Sequence, residues 1–250
     1  MATVAAPAPD RKAAERKFYS RMAMLLIAVV FIGFAPSFYL KGIVPAYPWP
    51  NPTLPPAVLF HGLTFTLWMI LLVLQTQLIA TRRVETHMKL GMAAMFVAIA
   101  LLPIMYLTAV WGVARQSHPP FTDGLNWTAI PLAVIPTFGF LVYQAWHQRK
   151  QAQWHKRLML GATIIFAVGP GFMRIPLAPP TFWGFTIQLL VGNVLLFTPL
   201  FLWDRRTQGS VHPATWLAFA TSLSAAVVPM TLIYTHSWAG IAARLPGVGA

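Results

Sequence analysis

Seven long apolar stretches, parted by short polar or basic segments, set the pattern of the chain. They cover Met22–Leu40, Pro56–Ala80, Leu90–Val113, Trp127–Trp146, Leu158–Leu177, Thr181–Trp203 and Pro213–Ser237. A helix crosses the hydrocarbon core of a bilayer with about 20 consecutive, mostly apolar residues. The pattern therefore predicts an all-α, polytopic transmembrane bundle of seven spans. In the fifth stretch Gly169-Pro170-Gly171 interrupts the run. Within lipid such a break is tolerated only where neighbouring helices cover the freed backbone groups, so this span is expected inside the bundle. A six-span alternative needs one stretch to fail and moves the C-terminus to the other side.

Composition strengthens this reading. The 250 residues are 57% apolar and 9% charged, against about 45–50% and about 25% in soluble domains. So few charges exclude a soluble globular enzyme, a disordered chain and a fibrous repeat. No cysteine is present, which excludes disulfides, thiolate metal sites and cysteine nucleophiles. Residues 1–21 read as a flexible, basic cytoplasmic tail leading into a single transmembrane domain over residues 22–250. No Ala-x-Ala site follows the first apolar stretch, so it reads as a retained span.

The net charge of +13 would suggest nucleic acid in a soluble protein, but here the basic residues sit between the spans and encode topology. With the N-terminus inside, the inner segments hold Arg11, Lys12, Arg16, Lys17, Arg21, Arg82, Arg83, Lys89, Arg149, Lys150, Lys156, Arg157, Arg205 and Arg206. That is fourteen of the 18 Lys and Arg residues. Lys41, Arg115, Arg174 and Arg244 fall outside. The bias alternates correctly through every loop and predicts a bacterial inner-membrane protein with a periplasmic C-terminus. The first outer loop carries Pro45, Pro48, Pro50, Pro52, Pro55 and Pro56 and should be stiff, with Tyr47 and Trp49 at the interface. None of the acids Asp10, Glu15, Glu85, Asp123 and Asp204 lies mid-span, which argues against a buried carboxylate relay.

Two hairpins look alike. Gln77 precedes Arg82-Arg83 by five residues, and Gln144 precedes Arg149-Lys150 by five. His87-Met88-Lys89-Leu90 and His155-Lys156-Arg157-Leu158 follow, with the histidines 68 residues apart, and Pro103 and Met105 roughly match Pro170 and Met173. Spans two–three and four–five thus form a parallel hairpin repeat.

The run His61-Gly62-Leu63-Thr64-Phe65-Thr66-Leu67-Trp68, with Gln75-Thr76-Gln77-Leu78 and His87-Met88-Lys89-Leu90-Gly91, resembles a family of bacterial multi-span integral membrane proteins. So do His155 through Leu160, Arg174 and the closing His212-Pro213-Ala214-Thr215. The family is marked by His-x-[Lys/Arg]-Leu helix starts, and the resemblance implies a topology but no reaction. In helix and histidine layout alone the chain is also similar to membrane four-helix haem proteins such as cytochrome b561, where histidine pairs hold haem between helices. It departs from them in lacking a histidine at the outer end of span four to match His61.

The histidines are the groups that titrate near neutral pH. His118 and His147 read as solvated, and His212 as a helix start. His87 and His155 open matching helices at one depth. Imidazole ligates haem iron, copper and zinc. The basic residues around them, from Arg82 to Arg157, could meet haem propionates. Haem b is the cofactor such a pair suggests, while interfacial snorkelling is the plainer alternative. A second, outer group comprises His61, Arg174, Tyr234 and His236, which could receive an anionic headgroup, a quinone or a metal. Gln75, Gln77, Gln144, Gln188 and Asn193 read as inter-helix hydrogen bonders. Walker, dinucleotide-binding, HExxH and GxSxG patterns are missing. Three readings follow. They are a haem- or quinone-linked redox protein, a structural or assembly subunit of a membrane complex, and a small transporter. The bilayer is the expected partner, with a membrane-protein partner or a second copy compatible.

A reporter enzyme fused after Ala250 should report from the side opposite the Lys/Arg-rich loops. A signal from the same side would remove one span.

Overall fold

A computed structural model describes residues 11–45 and 54–248. The elements are α1 (Arg11–Phe34), α2 (Pro56–Ala80), α3 (Val84–Ala114), the single turn α4 (Gly124–Trp127), α5 (Ala129–His147), α6 (Ala152–Phe166), α7 (Phe182–Gln208), α8 (Pro213–Tyr234) and the turn α9 (Ala239–Ala242). Seven helical segments are long and apolar enough to cross a membrane, as the hydropathy pattern predicts. Among the described residues there is no β-strand, only an isolated bridge between Lys41 and Val44.

The expected tail over residues 1–21 is corrected in its second half. Arg11–Arg21 forms the first turns of α1, and Tyr19 is buried there. Contacts with neighbouring helices hold this stretch: Lys156 forms an ion pair with Glu15, and Ser20 reaches the Thr76 carbonyl. The proline-rich loop with Tyr47 and Trp49 falls on residues 46–53, outside the described residues.

Local chemistry sets the helix ends. The side chains of Asp123 and Thr181 accept from the backbone N–H groups of Asn126 and Gly184 and cap α4 and α7. Gly209 closes α7 with φ of 77°, the left-handed cap glycine favours. Pro213 takes the first position of α8, where a missing N–H costs nothing.

Two helices widen at proline. After α1, Ala35–Tyr39 is π-helical around Pro36, and the Leu40 N–H donates to the Ala35 carbonyl at 2.7 Å. After α6, Ala167–Gly171 is π-helical around Pro170 and runs into a short turn, Phe172–Arg174. Proline removes an amide donor and crowds the preceding turn, so the chain loosens there. The second loosened turn meets the end of α1. A Cβ at Gly33 would lie 2.1 Å from the Gly171 carbonyl oxygen, so only glycine permits this backbone contact.

The span containing α6 is the centre of the bundle. In its most apolar window 78% of residues are buried, against 22–44% in the other six. The Gly-Pro-Gly break is thereby covered, as the sequence requires. Lipid tails offer apolar surface as readily as a neighbouring helix does, so close-packed small residues and polar contacts decide which helices touch. Gly161 meets Ala218 so closely that a Cβ would fall 2.4 Å from the alanine methyl. Ser222 donates to Asn193 Oδ1 at 2.6 Å and joins α8 to α7. Gln188 donates to the carbonyls of Phe172 and Ile175 at 2.9 and 2.7 Å and covers the broken end of α6.

The strongest polar contact is fully buried. Arg157 on α6 and Asp204 on α7 both have side chains 0% exposed. The Arg157 Nε donates to both Asp204 oxygens, at 3.0 and 3.3 Å, and Nη2 makes a further short contact with Oδ1. Thr215 Oγ1 and the His212 backbone N–H donate to Asp204 Oδ2 at 2.6 and 3.1 Å, and Gln208 donates to Oδ1 at 3.2 Å. Gln153 accepts from Arg157 Nη1 through its carbonyl at 2.9 Å and its side chain at 2.5 Å. The sequence places Asp204 just past a span; the structure buries it. Burial, and then the charge of Arg157, hold the His212 imidazole below its usual pKa. The neutral ring accepts from the Ala214 N–H at 3.1 Å and caps α8.

Asp204→Leu should destabilise the bundle by about 3–5 kcal/mol, because it strands a buried guanidinium, whereas Arg157→Met/Asp204→Leu should recover most of that loss. Unfolding in mixed detergent micelles measures both. The His212 cap should hold at neutral pH and weaken as pH falls below about 6.5, since the unfolded chain binds that proton more readily. His212→Asn should flatten this part of the acid profile.

Candidate functional site

Seven chain segments gather at one end of the bundle. Glu15 meets Lys156, Gln75 meets His87, His155 meets Ala145, and Asp204 meets both Arg157 and the start of α8. This is the basic end, holding the Lys/Arg-rich turns.

His87 and His155 lie here, each the fourth residue of its helix, α3 and α6. Their backbone N–H groups make equivalent first-turn bonds, to the Arg83 and Gln151 carbonyls, both at 3.0 Å. Their rings face each other with centres 6.5 Å apart and planes at 85°. Both residues are half-buried.

The tautomers follow from the neighbours. His155 Nδ1 lies 2.9 Å from the Ala145 carbonyl, which can only accept, so Nδ1 carries the proton and Nε2 presents a lone pair. The Gln75 amide touches both the ring and the backbone of His87. Its oxygen belongs toward the Gly91 N–H, at 2.9 Å, which turns its nitrogen to the His87 carbonyl at 3.2 Å and to His87 Nδ1. His87 therefore carries its proton on Nε2. Sequence reasoning treats Gln75 as packing only; the turn between α2 and α3 makes it a neighbour of His87.

Of the basic residues around this level, four are committed to other partners. Arg157, expected as a propionate partner, is enclosed with Asp204. Lys156 is paired with Glu15 and lies over the Tyr19 ring at 5.1 Å. Lys89 bridges Glu85 at 2.7 Å on the exposed face, and Arg149 lies 4.5 Å over Trp146. Among the described residues no group of three or more His, Cys, Asp or Glu could hold a metal ion, so any ion here would rest on two imidazoles.

The opposite end holds a cavity of about 330 Å³. His61 and Arg174 both line it, from α2 and from the turn after α6. Tyr234 and His236 do not line it. Tyr234 is exposed and packs on Phe182 and Trp183, with ring centres 5.5 and 5.8 Å away. His236 is exposed beyond α8 at φ of 53°. The outer group of four thus does not form one site: His61 and Arg174 share the cavity, while Tyr234 and His236 lie outside it, because the end of α8 leans on α7 and not on α2.

Arg115 and His118 join the cavity without having been singled out together with His61 and Arg174. The last turn of α3 places Arg115, whose Nε and Nη2 donate to the Trp111 and Thr108 carbonyls, both at 3.2 Å. The only signal in the sequence is an Arg just past a span on the side poor in basic residues. His118, read as solvated, is half-buried against the Pro119 carbonyl.

No family model, no curated protein and no solved structure matches this chain. The side-chain geometry therefore carries the functional argument.

Proposed function

We propose that this integral membrane protein is a redox protein that holds haem b between His87 and His155. The facing pair carries this reading. One haem iron held by both residues would need an imidazole nitrogen from each within reach of a common point. Their ring centres lie 6.5 Å apart, near enough for His87 and His155 to serve one ion together. On the His155 side the donor set also fits. A ligating imidazole commonly donates its other N–H to a carbonyl, which fixes the tautomer and aims the lone pair, and the Ala145 carbonyl does this for His155. On the His87 side Gln75 donates to Nδ1 and leaves the proton on Nε2, so for Nε2 to ligate, that proton would have to move and the Gln75 amide would have to give up its bonds to Gly91 and the His87 carbonyl.

When bound, the haem supplies one-electron chemistry. The chain binds it by two helix starts, fixes one imidazole through backbone and the other through Gln75, and keeps exposed cations such as Arg82 and Arg83 at the same end. The Lys/Arg distribution supports placing that end on the cytoplasmic side of a bacterial inner membrane, with the N-terminus inside.

Absorption spectra of the purified protein in detergent test the reading. A Soret band that shifts on reduction is expected, and His87→Ala or His155→Ala should each abolish it. Gln75→Leu should lower haem retention by roughly tenfold or more, as loss of an outer hydrogen bond to a ligand does. A colourless protein that co-purifies with other subunits would reject the redox reading and favour an assembly role.

A further inference from the structure

The cavity at the end opposite the histidine pair stands apart from the redox reading. Its walls are mainly apolar and include Phe34, Phe65, Trp127 and Phe185. Beside neutral polar residues such as Ser37, Thr108 and Gln116, its charged side chains are of one sign. Arg115, Arg174, His61 and His118 line it, and no Asp or Glu is among the described lining residues. Basic side chains at the mouth of an apolar chamber match a ligand with a negative head and an apolar body.

Three further observations point to a ligand. First, His61 Nδ1 is buried and has no hydrogen-bond partner among the described residues. A buried polar atom without a partner is costly, so a group that completes it is favoured. The neighbouring ring, Phe65, lies nearly parallel at 6.3 Å and offers none. Second, both π-helical segments among the described residues border this one chamber, through Pro36–Tyr39 and through Gly169 and Pro170. Such segments hold well under 1% of residues in ordinary proteins and gather at functional sites. Third, Gly62, one residue from His61, admits the edge of Phe38, and a Cβ there would lie 2.3 Å from the Phe38 ring. The wall of the chamber is thus built by close packing around His61.

We infer that this cavity binds the anionic head of a membrane amphiphile, a phosphate-bearing lipid, with Arg115 and Arg174 at the head and His61 donating to it. Arg174 is positioned for this by its stack on Phe34, at 4.1 Å, and by its bond to the Pro170 carbonyl at 2.7 Å. The carbonyl of Pro170 borders the proline break, so the same break that widens the helix aims the guanidinium. The shared chemistry is a phosphate oxyanion. Its source is either a phospholipid of the bilayer or free phosphate.

The full chain in nanodiscs of equal phosphatidylglycerol and phosphatidylcholine tests this. Native mass spectrometry should find one phosphatidylglycerol retained per chain in preference to phosphatidylcholine. Arg115→Gln/Arg174→Gln should weaken that preference by about tenfold or more, the scale of losing charge-assisted hydrogen bonds, while Arg115→Lys/Arg174→Lys should keep most of it. Should the glutamine variant fail to fold, brominated phosphatidylglycerol on the wild-type protein replaces it. Its quenching of tryptophan emission should shrink in Trp127→Phe. Displacement of the lipid by millimolar inorganic phosphate would assign recognition to the head alone, and resistance to phosphate would assign it to the whole lipid. Equal retention of the two lipids, preference unchanged in the glutamine variant, or quenching unaffected by Trp127→Phe would overturn the inference.

Discussion

The bundle is organised around a pair of charges that lipid and water both fail to reach. Arg157 and Asp204 neutralise each other inside the protein, and every remaining hydrogen-bonding direction of the carboxylate is taken by Thr215, His212 or Gln208. Such a pair contributes little net stability compared with well-packed apolar side chains, but it is unforgiving of misplacement, because either charge alone in that position is strongly unfavourable. It therefore fixes the relative position of α6, α7 and the start of α8. In a membrane, where apolar surface is satisfied equally by lipid and by protein, that kind of specificity is what selects one packing from many.

With α6 held at its start by charge, its far end is free to be irregular. The π segment at Pro170 loses a backbone hydrogen bond, yet Gln188 supplies donors to the Phe172 and Ile175 carbonyls and α1 covers the turn through Gly33. The matching π segment after α1 stands beside it. The cavity around His61 is bordered by both π segments and by the first turns of α2.

The two candidate sites lie at opposite ends and differ in kind. At the basic end, two imidazoles are presented side by side by the first turns of α3 and α6 and oriented by Ala145 and Gln75. At the other end, cations and an imidazole border apolar walls, an arrangement suited to an amphiphile. Both depend on helix starts, helix ends or helix breaks. Regular transmembrane helix satisfies its own backbone groups and offers only side chains to a ligand.

Much of this was legible in the sequence. Hydropathy alone determined the seven spans, because a bilayer demands about 20 apolar residues whatever surrounds them. The Gly-Pro-Gly break determined that the fifth span lies inside, since lipid cannot satisfy freed backbone groups. The recurrence of His-x-basic-Leu singled out His87 and His155, because equivalent helix starts place equivalent residues at equivalent depth. Tertiary structure decided the rest. It alone buried Asp204, since a residue at the end of a span reads as interfacial until a neighbouring helix supplies its counter-charge. It alone separated Tyr234 and His236 from His61 and Arg174, and brought in Arg115 and His118. Depth along a helix can be counted from sequence at 1.5 Å per residue, but the direction in which a side chain points is set by the rotation of each helix against its neighbours, and only packing fixes that.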